Sequence, residues 1–109
     1  MLNKSRAISL RVTVLTSLKD KLVGLIGKNP IYPISFTTRW GIHTFGVVEP
    51  IDVLILDHDR RVVLLINSLP PNRFFFWNPE YVRVIELPAG YIRRKHITIG
   101  DRLSVSTSQ

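Results

Sequence analysis

The amino-acid sequence predicts a mainly β fold: a compact, β-rich α+β single domain whose sheet is barrel-like or a sandwich, with one short amphipathic helix near the N-terminus. Two observations carry this. Residues 51–57 ("IDVLILD") and 61–66 ("RVVLLI") are dense in β-branched and aliphatic residues around a polar turn, the signature of a hairpin. Beside several segments of that kind, only 17–26 places apolar residues at helical spacing.

In chain order, "SLRVTVL" (9–15) alternates Leu10, Val12 and Val14 with Arg11 and Thr13, the period of a half-buried strand. Ser17 followed by Asp20 resembles a capping box. Leu18, Leu22, Leu25 and Ile26 make an apolar stripe, and Gly27 and Pro30 end it. From Ile31 to Arg39 the residue types favour extended chain, with Pro33 pointing to an edge or a loop. The two hairpin segments are apolar on both faces, which predicts central strands covered on each side. "NSLPPNRFFFWNPE" (67–80) is expected to be a loop despite four consecutive aromatics. "YVRVIEL" (81–87) is a further strand ended by Pro88-Ala89-Gly90, and a helical turn suits 90–95. "ITIGDRLSV" is expected as two extended pieces around a Gly100-Asp101 turn, ahead of a polar tail, 104–109.

A chain of 109 residues fits one domain, 1–109 with a core over about 9–105, burying roughly 65% of the surface its unfolded form exposes. The absence of cysteine excludes disulfides, thiolate metal sites and cysteine nucleophiles. Fifteen Lys and Arg against eight Asp and Glu give a net charge of +7. The excess is scattered, with Arg93-Arg94-Lys95 its densest block, so a solvated basic surface is favoured over a nucleic-acid footprint. Arg11 and Thr13 interrupt the apolar run that a signal peptide would need, and no stretch approaches the roughly 20 apolar residues of a membrane span. The expectation is a cytoplasmic protein.

The order of motifs carries a family resemblance. A helix with "KLVGLIG" precedes "GIHTFGVVEPIDVLILD", then "RVVLLI", "PPNR", "VIELPAG" and "ITIGD". Across about residues 10–105 this resembles the bacterial and archaeal DUF 192 family, a domain of unknown function. The resemblance implies a compact β-rich domain without an established activity, with some relatives in envelope or pilus settings. The matching positions are Gly24, His43, Thr44, Phe45, Gly46, Pro50, Asp52, Asp57, Glu86, Leu87, Pro88, Gly90, Gly100 and Asp101. Similar chains have a methionine and a basic residue after "IHTFG", where Val47, Val48 and Glu49 stand here. They also have glycine where this chain has Arg60, and commonly glycine at His96.

Asp52 shares a strand face with Leu54 and Leu56, so its carboxylate points into apolar packing and requires a donor, since an unpartnered buried charge costs several kcal/mol. The candidate donors are backbone N–H groups of "GIHTFG", Thr44, His43, Arg39 and Arg73. A structural clamp is the favoured reading. The catalytic alternative has Asp52 orient His43, but Ser35, Ser68 and Thr44 lack the setting of a nucleophile. Asp52 and Asp57 are five apart on one strand and face opposite sides, so no metal site is predicted, nor any cofactor. Asp57 suits turn chemistry with Asp59, and Glu86 is expected to accept from turn N–H groups beside Pro88. Trp40 is expected in the core.

Among Phe74-Phe75-Phe76-Trp77 at least one ring is a candidate for an exposed interface. The sequence thus favours a non-enzymatic binding module for a protein or small ligand, using His43, Thr44, Phe45, Arg73, Phe75 and Trp77. A small hydrolase or metal-assisted enzyme built on His43 and Asp52, and an RNA or single-strand binder, are the alternatives.

Overall fold

The computed structural model describes residues 6–14, 32–39 and 41–107. They form β1 (Ala7–Val14), β2 (Ile34–Thr37), β3 (Ile42–His43), β4 (Ile51–Leu56), β5 (Val62–Leu69), β6 (Phe74–Phe75), β7 (Arg83–Pro88), α1 (Tyr91–Lys95) and β8 (Arg102–Thr107). The fold is mainly β. The helix expected at 17–26, with Gly24, and the core position expected for Trp40 fall outside the described residues.

Six strands make one sheet in the order β5-β4-β7-β2-β1-β8, and β3 pairs with β6 as a separate ribbon. β1 runs parallel to β2 and β8, while the remaining pairs are antiparallel. The sheet curls as half a barrel, and its outer strands meet at one end. There Val62 N–H donates to the Asp101 carbonyl (2.9 Å), Gly100 N–H to that of Val62 (2.8 Å) and Leu103 N–H to that of Arg60 (2.9 Å).

Every residue of β4 is buried. Alternation sends Leu54 and Leu56, with Leu10, Val12, Ile85 and Leu87, into one core, which α1 joins through Ile92. Val53 and Ile55, with Ile34, Phe36 and Val84, enter a second core on the opposite face, and the ribbon packs there through Ile42 and Phe75. Each such side chain contributes about 1.5–3 kcal/mol of transfer free energy, so β4, feeding both cores, is the principal stabilising strand.

Three expectations are corrected. β5 is not central: it pairs along its length with β4 alone and approaches β8 at its start, leaving Leu64, Leu65 and Ile66 half-buried. The polar stretch from Ser104 is strand through Thr107, in register with β1 from Ala7↔Arg102 to Val12↔Thr107. Backbone pairing with β1, together with half-buried Val105 against the first core, recruits it. The 67–80 segment is also not all loop, since β5 reaches Leu69 and Phe74–Phe75 is a strand.

The turns follow the side chains. Asp57 Oδ1 accepts from the Asp59 and Arg61 N–H groups, both at 2.9 Å, as its turn reading required. α1 occupies the expected helical turn and places Arg93, Arg94 and Lys95 in its last turn, where positive charge suits the helix dipole. Arg60 (φ 65°) and His96 (φ 54°), the positions at which the family resemblance leads one to expect glycine, both hold left-handed backbone.

Candidate functional site

Asp52 is fully buried, and both its carboxylate oxygens are in use. Oδ1 accepts from Ser68 N–H and Oδ2 from Ile92 N–H, each at 2.9 Å. The donors therefore come from the end of β5, where Ser68 has φ 56°, and from α1; the "GIHTFG" loop, Arg39 and Arg73 do not supply them. Strand alternation explains this: Asp52 points to the first core, whereas that loop lies over the second. The carboxylate serving the turn after Pro88 is thus Asp52 rather than Glu86.

Thr44 is fully buried too. Its hydroxyl donates to the Pro70 carbonyl (2.7 Å) and accepts from Arg73 N–H (2.9 Å), while its own N–H donates to the Arg73 carbonyl (2.9 Å). Thr44 staples the loop after β3 to the one before β6. At the other end of the ribbon, a Cβ on Gly41 (φ 96°) would collide with the Phe75 carbonyl oxygen, so only glycine permits that approach. Gly46, Gly90 and Gly100 also have positive φ, Pro50 leads into β4, and Pro88 closes β7 opposite Ile51.

Between these two fixed ends the four aromatics divide by strand alternation. Phe75 and Trp77 turn inward onto the second core, with the Trp77 indole N–H donating to the Tyr81 carbonyl. Phe74 and Phe76 turn outward, 62% and 65% exposed. The outward rings form a continuous row. Phe74 lies 5.9 Å from Phe76 at an interplanar angle of 11° and 4.9 Å edge-on from Phe45, and His43 is 5.4 Å from Phe45 and 6.4 Å from Phe74. Val48, 85% exposed, stands in the following turn, and Arg73 is exposed beside Phe74. Phe75 and Trp77, expected as binding residues, are the anchors of this row, and Phe74 and Phe76 are the rings it presents. The period-2 alternation of "FFFW" carries that signal once the segment is recognised as strand.

His43 Nδ1 accepts from Phe45 N–H at 3.3 Å. Among the described residues no hydrogen bond joins His43 to Asp52, and no cluster of three metal-ligating side chains is present. Asp101 is a second buried clamp, accepting from Thr98 N–H (2.9 Å) and Arg6 N–H (3.2 Å) and pairing with the Arg6 guanidinium at 3.5 Å. Burial alone would raise its pKa, but these donors outweigh burial and hold it below the ordinary carboxylate value.

Glu86 is the exception among the buried acids. It projects into the second core between Ile34 and Val53, with 0% exposure and neither carboxylate oxygen hydrogen-bonded among the described residues. It does not accept from the turn N–H groups as expected, because alternation turns it to the face opposite α1. Desolvation pushes its pKa up to about 8. The Tyr32 hydroxyl is likewise buried without a partner among the described residues, its pKa pushed up to about 12 by desolvation first and by Glu86 second.

No family model matches the chain. It is 29% identical to a UPF0127 protein of Pyrococcus furiosus and 27% identical to one of Pyrococcus abyssi. Each alignment covers 94% of this chain, with 95% and 94% of the respective relatives. These relatives form an uncharacterised family. Among solved structures, a protein of unknown function from Novosphingobium aromaticivorans DSM 12444 superposes with a TM-score of 0.70 at 18% identity, over 84% of this chain and 71% of that one. A protein of Sinorhizobium meliloti 1021, provisionally described as a transcription regulator, superposes with a TM-score of 0.68 at 20% identity, over 84% and 78%. Both likenesses are of fold. Among the described residues no helix is long and apolar enough to cross a membrane.

Proposed function

We propose that the chain is a member of the DUF 192 family, folded as one domain, and that it works as a non-enzymatic binding module. Its contact surface is the row His43, Phe45, Phe74 and Phe76, bordered by Val48 and Arg73. One observation carries the reading: large apolar rings stand in mutual contact on the surface of a ribbon anchored at both ends. Contiguous exposed apolar patches mark interaction sites. The ordered motifs and the likeness to UPF0127 proteins along nearly the whole chain support the family assignment.

The hydrolase alternative draws less support. Both Asp52 oxygens are committed to backbone N–H groups on the far face of the sheet from the ribbon, so Asp52 has no role in orienting the His43 imidazole.

Amide NMR shifts during titration with a panel of apolar peptides, aromatic small molecules and oligonucleotides test the reading. Changes should gather at 41–48 and 72–77 and vanish in a Phe74→Ser/Phe76→Ser variant of unchanged fold. Changes centred on Asp52 and α1, changes that survive the double substitution, or no response to any probe would overturn it.

A further inference from the structure

We infer that the partner of the ring row is a single-stranded nucleic acid, whose bases stack on Phe74 and Phe76 while its phosphates meet the surrounding arginines. This rests on the row being the contact surface. Three features select this partner.

The first is ring alignment. Phe74 and Phe76 occupy successive same-face positions of one extended segment and are nearly parallel, 11° apart. Rings set along a strand offer repeated flat faces, and every unpaired base has a matching face on which to stack. A lipid surface would require apolar area but no such alignment.

The second is where the charges lie. Of eleven Lys and Arg among the described residues nine are exposed, against three exposed acids, Glu49, Asp59 and Glu80. Asp52, Glu86 and Asp101 are withdrawn into the interior, the first and last tied to N–H donors. The exposed side chains thus carry +6 where all the Lys, Arg, Asp and Glu of the described residues sum to +4, which suits a polyanion. Arg73 adjoins Phe74, and Arg39 lies two residues before Gly41, on which Phe76 packs, so an arginine flanks each end of the row in sequence.

The third is rigidity. The close backbone approach at Gly41 and the Thr44 staple hold both ends of the ribbon, so little conformational freedom is lost when the rings are engaged.

Fluorescence anisotropy with labelled single-stranded RNA and DNA of about 12 nucleotides tests this, at about 50 and about 200 mM salt. The expected result is binding that weakens with salt, falls about tenfold or more in Phe74→Ser/Phe76→Ser, and shows a shallower salt dependence in Arg73→Ala. A duplex, whose base faces are hidden, should bind more weakly. Absence of binding overturns the inference, and so does binding unchanged by the double substitution, which would be diffuse attraction to a basic surface. If anionic phosphatidylserine vesicles or an apolar peptide engage the row and the oligonucleotide does not, this inference fails and the binding-module reading stands. If nothing engages the row, both fail.

Discussion

Glu86→Gln keeps the shape of a buried side chain and removes its proton. In the folded protein, burial without a partner holds the carboxyl neutral up to about pH 8, against an ordinary value of 4.5. Above pH 4.5 the unfolded chain ionises at this position and the folded chain does not. The folded state then binds the extra proton, so stability falls as pH rises and levels off near pH 8, where the folded carboxyl ionises as well. At about 1.4 kcal/mol per pH unit, the loss reaches about 3 kcal/mol by pH 7 and about 5 kcal/mol over the whole window. That is a large share of the roughly 5–15 kcal/mol that stabilises a domain. The glutamine amide is as poorly partnered as the neutral acid, and its cost does not vary with pH. Urea denaturation from pH 4.5 to 8.5 should therefore show equal stability near pH 4.5 and the variant ahead by about 3 kcal/mol at pH 7. Two stability curves running parallel through that window would refute the reasoning.

Other substitutions separate clamps from surface. Asp52→Ala strands the Ser68 and Ile92 N–H groups and should cost about 3–6 kcal/mol in chemical denaturation, at about 1.5–3 for each charge-assisted bond; a loss below about 1 would contradict the clamp. Arg60→Gly and His96→Gly each relieve left-handed strain of about 1–2 kcal/mol and return part of it as unfolded-chain entropy. A net gain of about 0.5–1 kcal/mol apiece should raise the melting temperature. Phe75→Ala should destabilise by about 2–3 kcal/mol while Phe74→Ser stays within about 0.5 kcal/mol of the parent. The reverse order would mean that the inward and outward rings have been exchanged.

The strands at 51–56 and 83–88 are legible because their apolar residues leave few alternatives. The need for a donor at Asp52 also follows from one strand's alternation. Which donor it meets does not, since Ser68 and Ile92 reach it through sheet order and through a helix 40 residues away in sequence. For the same reason the exposed rings were hidden: "FFFW" looks like loop until β3 pairs with β6, and only then does alternation assign an inside and an outside. Glu86 resists a sequence reading for another reason. A carboxylate beside a proline turn ordinarily finds N–H donors, and only the facing of β7 shows that this one turns away from them. The strand at 102–107 shows its alternation only through Leu103 and Val105, which face the first core; Ser106 and Thr107 carry no such signal and are held by backbone pairing with β1.

That pairing bears on how the chain is made. β1 is the first of the described strands to leave the ribosome, and its long partner is the last. Until residues 102–107 emerge, the strand pairing of β1 among the described residues is the short contact at Thr13 and Val14 with β2. For most of synthesis its outer edge is thus open to wrong neighbours, and the sheet is completed by an almost end-to-end closure of the described chain, a slow kind of contact to form. A chain lacking residues 102–107 would leave that edge of β1 without its long partner.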